Sequence, residues 1–480
     1  MNKDCFAASL VNELPKPISF FLFITLFFIF SPSAALSNLI TEPVFNCNNT
    51  GSQHQPPPLF ESIAVRPFAL SNDENFLYVV NTPERCLEIY SIDEKGNLSL
   101  ASSVRVGLEP VAVAERKPGE LWVVNHLSDN ISIIDLRGRP HIKQIVQVGD
   151  APWDIVFANK TSAKTNKKER AFISASFRGQ HHPEFDSSFL RANRMPSREK
   201  KGKGELIGRA DLWVFDVDPA TGEISRAGNI NLATDSVRSL SHTVDGNKVF
   251  ALAFKSGNRT AVAPVGRVKE LIGARWSTDG MDVVESRIMI QQQGDRWVDV
   301  EGRDWSQRMN VNVVDNDFFV ISAVALLDKG TAEKPEFNRK AILDSVKGLG
   351  TILYNGVSSA GGEHIYIVGT DARNLIPNEN NLNANFVSNN LYRLSFGEKK
   401  SVSTESFDQF SGVIEGTGSA LPMAMALDEK RNRLFVGFMG GNQIAEFKLD
   451  SRGKLLKPVN VIVQRDSKDL NALGGGVIAL

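Results

Sequence analysis

The sequence lacks an excess of charge of either sign. Its 54 Lys and Arg residues are balanced by 55 Asp and Glu residues, which leaves a formal net charge of −1. A chain balanced in this way has no overall attraction to nucleic acid or to an anionic membrane surface, so neither is expected as a partner. The composition, 42% hydrophobic and 23% charged, is typical of a globular protein with enough apolar material for a core.

Signature motifs of several common catalytic sites are also lacking. The sequence contains no G-x-S-x-G nucleophile elbow, no Walker loop, no dinucleotide-binding fingerprint and no zincin helix. Each of these motifs would fix a reactive side chain or a phosphate-binding loop in a defined local geometry. We therefore predict no catalytic residue and no cofactor.

An apolar run long enough to cross a membrane is lacking at the N-terminus. The run ISFFLFITLFFIF, residues 18–30, would form a helix of about 20 Å, short of a ~30 Å hydrocarbon core. Small residues follow at the spacing of a signal-peptidase site, and no Cys follows at lipoprotein spacing. We predict a signal peptide over residues 1–37, a polar leader over 38–59, and an exported protein in the periplasm or outside the cell; an uncleaved anchor is the alternative.

Cysteine is scarce, with three residues in the whole chain. Export implies an oxidising compartment, and cleavage of the signal peptide would remove Cys5. The remaining Cys47 and Cys86 could form one disulfide that ties the leader to the start of the folded domain. Two separate buried thiols are the alternative.

Helical periodicity is almost missing, with a possible exception at RKAILDSVKGL, residues 339–349. Instead, a short apolar pattern repeats: LYVVNTPERCLEIYSID contains Asn81, and LWVVNHLSDNISIIDL contains Asn125 at the same place. Each unit has four short runs rich in Val, Ile and aromatic residues, separated by turn-forming residues, which predicts four strands joined by hairpins. The Asn is expected to close the second strand by hydrogen-bonding the backbone of the departing loop.

The repeat predicts an all-β protein, a β-propeller built from four-stranded antiparallel blades. Each sheet is apolar on both faces, and stacking the sheets radially would bury both faces. Over residues 60–480 we count six blades plus the start of a seventh at GGGVIAL, residues 474–480, as in a seven-bladed propeller that ends early. DNDFFVISA, residues 315–323, is assigned as the third strand of the fourth blade; a blade of its own, a β-sandwich or two smaller β domains are the alternatives.

Three long insertions are predicted after second strands, at about residues 176–209, 256–314 and 371–389. In a propeller the loops after all second strands emerge at one end, so the insertions should cover the same mouth of the central channel. Loops on a rigid scaffold often carry binding groups. This end is the expected ligand or partner face, and tolerated surface decoration without a partner is the alternative.

Candidate site residues lie in these insertions. The second insertion combines aromatic and charged side chains that could form a ligand pocket or a self-packed lid, and the third begins with an acidic, a basic and an amide residue. The first insertion offers a weak metal-binding candidate, and no metal is predicted. The ligand-face candidates are Trp297, Asp299, Arg303, Asp304, Trp305, Asp371, Arg373 and Asn374, and the weak metal candidates are His181, His182 and Glu184.

Several segments, LYVVN, LWVVN, RWVDVEGRDWSQR, DNDFFVISA, GTILYN and GTDARN, resemble secreted bacterial YVTN-type β-propeller repeats. This family is similar to quinoprotein amine dehydrogenase β-subunits and lactonase-like propellers. Larger members continue into haem-bearing segments with CxxCH motifs. This chain has no CxxCH, so the resemblance implies no haem role and a chain without that C-terminal part.

Two functions are compatible with these features. The first is an exported, monomeric binding or interaction module that uses the insertion-covered face for an unknown protein or small molecule. The second is a periplasmic enzyme of lactonase-like or oxidoreductase type, quinoprotein- or cytochrome-associated, which would require several His, Asp or Glu side chains to converge at the channel mouth. The sequence has only seven His residues, which favours the binding module.

Overall fold

The computed structural model describes most of the chain from residue 64 onward. The signal peptide and leader predicted over residues 1–59 lie outside the described residues, as does the seventh-blade start predicted at 474–480. The described ranges are 64–158, 169–176, 210–219, 221–234, 236–255, 260–262, 277–278, 281–282, 288–294, 296–299, 301–308, 316–330, 336–372, 387–396, 400–410 and 419–463.

The first three blades are separate four-stranded antiparallel sheets, each built from consecutive strands. Blade 1 contains β1 (Phe68–Leu70), β2 (Phe76–Asn81), β3 (Cys86–Ile92) and β4 (Leu98–Arg105). Blade 2 contains β5 (Pro110–Lys117), β6 (Glu120–Asn125), β7 (Asn130–Asp135) and β8 (His141–Gln147). Blade 3 contains β9 (Pro152–Ala158), β10 (Glu169–Ala175), β11 (Asp211–Val217) and β12 (Ile224–Asn231).

The next three blades also have four strands each, with five short strands inserted in the fourth, and one pairing between Lys255 and Ile352 joins the fourth and fifth blades into a single sheet. These are β15 (Thr260–Val262), β16 (Ser277–Thr278), β17 (Met281–Asp282), β18 (Met289–Gln293) and β19 (Arg296–Asp299). Blade 4 itself contains β13 (Ser236–His242), β14 (Lys248–Lys255), β20 (Phe318–Ser322) and β21 (Ile342–Val346). Blade 5 contains β22 (Ile352–Ser358), β23 (His364–Ala372), β24 (Val387–Phe396) and β25 (Lys400–Ser406). Blade 6 contains β26 (Pro422–Asp428), β27 (Arg433–Phe438), β28 (Gln443–Leu449) and β29 (Leu455–Val463).

The predicted β-propeller class and the assignment of the fourth blade are confirmed. β20, which lies within DNDFFVISA, pairs antiparallel with β14, so it is the third strand of blade 4. The possible helix at 339–349 is wrong: a single 3-10 turn, Arg339–Ala341, leads into β21, the fourth strand. Val346 of β21 is buried against the aromatic core between blades 4 and 5, and this packing outweighs the weak helical pattern.

The first strands of blades 2, 3 and 6 begin at a shared backbone feature. Glu109 and Ala151 each precede a proline and adopt left-handed backbone, with φ of 48° and 52°, and Leu421 does the same in blade 6 with φ of 52°. The carbonyl oxygen of Glu109 accepts a 2.8 Å hydrogen bond from the His126 N–H, and that of Ala151 accepts a 3.1 Å bond from Ser176. A left-handed L-residue costs about 1–2 kcal/mol, so these bonds offset a real strain where blades 2 and 3 start.

The hydrophobic core consists of five layers, one between each pair of successive blades among the described residues. Between blades 2 and 3, the fully buried Trp122 packs edge-on against Phe157 with ring centroids 5.3 Å apart. Burying a large apolar side chain contributes about 1.5–3 kcal/mol. The blades therefore hold one another in place, as the apolar pattern on both sheet faces predicts.

The face of blade 1 that points away from blade 2 is a special case. The apolar cluster on this face contains residues of blade 1 alone among the described residues, with Val79 and Tyr90 at its centre. Cys86 lies on the same face, because it alternates along β3 with Leu87, which faces blade 2. Cys86 is disulfide-bonded, and its partner lies outside the described residues, so the predicted pairing with Cys47 stays a prediction.

Candidate functional site

The first strands of all six blades line a central channel. Each first strand runs from the end where second strands finish, called here the insertion end, to the end where first strands finish, called the turn end. The segment before β1 joins this lining: Val65 donates from its N–H to the Val111 carbonyl at 2.9 Å, and Val113 donates to the Arg66 carbonyl at 3.0 Å. The segment before β1 therefore forms part of the channel wall.

An arginine from this entering segment crosses to blades 3 and 4. Arg66 donates from Nε and Nη2 to the two carboxylate oxygens of Asp154, at 2.9 and 3.0 Å, and from Nη2 to the Leu240 carbonyl at 2.8 Å. Asp154 is fully buried and also accepts from the N–H groups of Ile155 and Leu240, each at 2.8 Å. The charge of Asp154 raises the pKa of Arg66, so this arginine stays charged at neutral pH.

A second arginine makes the reverse connection. Arg238 of β13 donates from Nη2 to the Ala64 carbonyl at 3.0 Å, which joins blade 4 to the segment before blade 1. Its guanidinium carbon lies 5.0 Å from the ring centroids of both Trp153 and Phe254, a cation–π arrangement. Burial lowers the pKa of Arg238 to about 10, which still leaves it charged at neutral pH.

Arg238 is the centre of an aromatic cluster at the insertion end. The ring of His126 lies 4.0 Å from that of Trp153, and Tyr354 lies 6.2 Å from Phe254. Trp153 and Tyr354 are buried, whereas His126 and Phe254 are half-buried. Burial lowers the pKa of His126 and raises that of Tyr354, so both are held in their uncharged forms.

The strands that precede the three predicted insertions end at this cluster. Ser176 follows β10 and accepts a 2.8 Å hydrogen bond from Trp153 Nε1, and its hydroxyl lies 3.0 Å from that of Ser236. Phe254 is next to the last residue of β14. Tyr354 is hydrogen-bonded to Thr370, near the end of β23. The predicted insertions themselves lie mostly outside the described residues.

A cavity occupies the turn end of the channel, on the other side of Arg66. Its volume is about 360 Å³, and an adjoining lobe of about 150 Å³ shares Arg66, Val156 and His242. The cavity is lined by the later residues of first strands from blades 3, 4, 5 and 6, together with residues 65–68. Its polar lining consists of Arg66, Ser241, His242, Asn355 and Ser358.

The adjoining lobe contains further charged groups from blade 2. Arg116 donates to Glu120 and to Glu169, so its guanidinium is neutralised by two carboxylates. Glu115 accepts from the Asn72 N–H at 2.7 Å. Burial raises the pKa of Glu115, which makes this carboxyl easier to protonate than an exposed one.

Five of the predicted site residues come together in a compact unit that includes β18 and β19. The buried Asp299 carboxylate accepts from Arg303 Nε at 2.6 Å and from the indole N–H of the fully buried Trp305 at 3.0 Å, and Trp305 donates its backbone N–H to Trp297. Asp304 accepts from Ser306. Among the described residues, these polar groups hydrogen-bond one another within the unit.

The pKa of Asp299 follows from this geometry. Burial alone would raise it, but hydrogen bonds from Arg303 and Trp305 outweigh that effect and hold it below the usual range. The carboxylate is thus a fixed structural anion. Its predicted role on a ligand face stays a prediction.

The other predicted site residues divide into described and undescribed ones. Asp371 lies in β23 at the insertion end and accepts from the Thr351 hydroxyl at 3.3 Å. Within the described part of the chain, no group of three His, Cys, Asp or Glu side chains is arranged to hold a metal ion. The remaining candidates, Arg373, Asn374, His181, His182 and Glu184, lie outside the described residues.

Sequence reasoning missed Arg66, Asp154 and Arg238, the groups that organise the channel. The strand β9 has the sequence PWDIVFA, in which Asp154 is a charged residue in an otherwise apolar run. A carboxylate in such a run must find a cation or several donors, and this was the available signal. Its partner could not be found, because Arg66 is 88 residues away in the chain.

No protein-family model and no curated protein matches the chain. Similar solved structures include hydrazine synthase from Kuenenia stuttgartiensis, at 13% identity and a TM-score of 0.47, covering 82% of this chain and 80% of that chain. A putative 6-phosphogluconolactonase from Bacteroides uniformis has 11% identity and a TM-score of 0.46, covering 82% and 87%. A periplasmic gluconolactonase from Pseudomonas aeruginosa has 12% identity and a TM-score of 0.42, covering 82% and 84%. At these values none of them assigns a ligand or a reaction to this chain.

In the part of the chain that the structure describes, no helix is long and apolar enough to cross a membrane.

Proposed function

We propose that this chain is an exported binding module whose working surface is the insertion end of the channel. One observation carries this proposal: the strands that lead into all three predicted insertions end around a single rigid cluster of aromatic side chains packed on Arg238. Half-buried aromatic groups on a fixed base lose little conformational entropy when a partner covers them. His126 and Phe254 are the described side chains best placed to contact it.

The test is mass spectrometry of the molecules that co-purify with the exported protein. His126→Ala combined with Phe254→Ala should release the bound species, because these half-buried side chains are expected to contact it. Neither substitution alters the buried Arg238, which connects blade 4 to the segment before blade 1, so the channel should stay folded. Ser241→Leu, at the opposite end of the channel, is the matched control and should retain it. Loss of the bound species from both variants, or from neither, would contradict the proposal.

Metal analysis of the same material separates this function from the enzymatic alternative. A binding module requires no metal ion, whereas a hydrolytic or redox site at the channel mouth commonly uses one. A stoichiometric metal in the exported protein would overturn the binding-module proposal. N-terminal sequencing of that protein tests export directly, with cleavage expected near residue 37.

A further inference from the structure

We propose that the turn-end cavity is a second binding site, for a small uncharged molecule rich in hydrogen-bond acceptor oxygens, such as a polyol. Its volume of about 360 Å³ falls within the ~300–1,000 Å³ range of small-molecule sites. The cavity lies at the opposite end of the channel from the insertion-end cluster. The proposal is therefore independent of the function proposed above.

The first argument is a fixed donor at the cavity wall. Asp154 and the Leu240 carbonyl occupy Nε and Nη2 of Arg66, and no described residue accepts from its Nη1. The side chain is 38% exposed, although the carboxylate that holds it is fully buried. The Nη1 N–H groups are thus oriented before any ligand arrives, which removes the entropic cost of ordering a long side chain.

The second argument is an amide with a fixed orientation on blade 5. Asn355 Oδ1 accepts from the Ser239 hydroxyl at 3.1 Å and from the Gly356 N–H at 2.8 Å. These two donors identify the oxygen of the amide, so Nδ2 is its other end. No described residue accepts from Nδ2, and Asn355 lines the cavity. One donor group from the segment before blade 1 and one from blade 5 therefore serve one space.

The third argument is the charge around the cavity. Arg66 is neutralised by Asp154, and Arg116 by Glu120 and Glu169. Among the described lining residues, no Arg or Lys is left unbalanced to attract an anion. The remaining acid, Glu115, already accepts from the Asn72 N–H and the Tyr78 hydroxyl, so its carboxylate oxygens are engaged within the protein rather than offered to a cation. An uncharged ligand fits this balance best.

The apolar lining supports the same ligand class. Val156, Met425 and Leu427 face the space between the polar groups. A polyol presents C–H groups between its hydroxyls, so it can contact such walls while its oxygens accept from Arg66 and Asn355.

The experiment compares three probes with related carbon skeletons: sorbitol, its carboxylate counterpart gluconate and its ammonium counterpart glucamine. Titration calorimetry on the full chain should show sorbitol binding more tightly than either charged probe. Asn355→Asp keeps the acceptor of the amide and removes its donor, so sorbitol affinity should fall by about tenfold. Ser241→Leu, which fills the cavity from blade 4, should abolish binding, and His126→Ala should leave it unchanged.

Chemical labelling gives a second readout that does not depend on these variants folding normally. Phenylglyoxal should modify Arg66 in the free protein, and sorbitol should slow that reaction while leaving the exposed Arg137 unaffected. Tighter binding of gluconate or glucamine, no binding of sorbitol, or full binding by Asn355→Asp would each overturn the proposal.

Discussion

Asp154 shows how much one buried carboxylate can organise. Its two oxygens accept four hydrogen bonds, from Arg66 and from two backbone N–H groups. A buried ion of this kind is retained only when its charge and lone pairs are satisfied. Removing the charge would leave the Arg66 guanidinium without its counter-ion inside the channel.

We therefore expect Asp154→Asn to lower the free energy of unfolding by about 3 kcal/mol. Urea unfolding followed by intrinsic Trp fluorescence measures the change. Asp135→Asn is the matched control: Asp135 pairs with Arg137, whose side chain is 69% exposed, so its loss should change stability little. Equal effects of the two substitutions would show that the channel pair contributes no more to the free energy of unfolding than an exposed ion pair does.

The stability of the protein should also depend on His126. Burial lowers the pKa of this imidazole in the folded state below its unfolded value of about 6.5. The folded state therefore binds fewer protons, and its stability is complete above pH ~6.5 and falls as the pH drops below that value. His126→Gln should flatten this part of the pH–stability curve.

Urea midpoints measured from pH 5 to 8 test this expectation, with His141→Gln as the control at an exposed site. An unchanged slope in His126→Gln would indicate that other groups cause the acid sensitivity.

At the residue scale, then, sequence patterns identified turn and strand residues but not these channel groups. Their roles depend on partners far apart in the chain, such as Ala64 and Arg238, separated by 174 residues.

Among the elements, the second strand of blade 2 and the segment that precedes that blade interlock through one close contact. Asn125 donates from Nδ2 to Asn130 Oδ1 at 2.8 Å and to the Ser132 hydroxyl at 2.9 Å. A Cβ atom at Gly107 would lie 2.6 Å from Asn125 Cγ. The side chain of Asn125 is fully buried, so it cannot move aside without breaking these bonds.

Gly107→Ala should therefore destabilise the protein by about 1–3 kcal/mol, through displacement of Asn125. Gly356→Ala is the control, because a Cβ atom there would meet its nearest neighbours at an ordinary 3.6 Å. Thermal unfolding of both variants measures the difference. Similar midpoints for the two variants would contradict the proposed interlock.

Most strands could be predicted because alternating or continuous apolar runs bounded by turn residues leave few choices. The role of the repeated Asn was predicted only in part. Asn81 accepts from the Glu84 N–H at 3.1 Å, as expected for a residue that closes a strand onto its loop. Asn125 instead bonds side chains of the third strand, because Asn130 and Ser132 are present there.

The stability of the whole molecule should depend on the disulfide at blade 1. Cys86 is disulfide-bonded to a residue outside the described part of the chain, on the face of blade 1 that points away from blade 2. A disulfide that closes a long loop typically contributes about 2–4 kcal/mol. Its location makes blade 1 the part of the ring most affected by reduction.

Cys86→Ser should lower the free energy of unfolding by about 2–4 kcal/mol. Reductant should destabilise the natural chain by a similar amount and have no further effect on the variant, and both are measured by denaturant titration. Peptide mapping without reduction should recover a fragment that links Cys47 to Cys86. A linkage to Cys5, or a reductant effect on Cys86→Ser, would contradict this assignment.

The blade order was predictable because each blade repeats one pattern, but the two-part channel was not. The repeat specifies which faces of the sheets are apolar, whereas the channel is divided by Arg66 and Arg238, which occur outside the repeated apolar positions. The cavity at the turn end results from that division, so no local sequence pattern could predict it.

Every blade that the structure describes is assembled from four strands in chain order, interrupted in blade 4 by the five short inserted strands, and none borrows a strand from a distant repeat. Duplication or loss of one repeat at the gene level would thus add or delete an entire sheet together with its own hydrogen bonds. Descendants with different numbers of repeats are therefore reachable in single genetic steps, without a poorly paired intermediate.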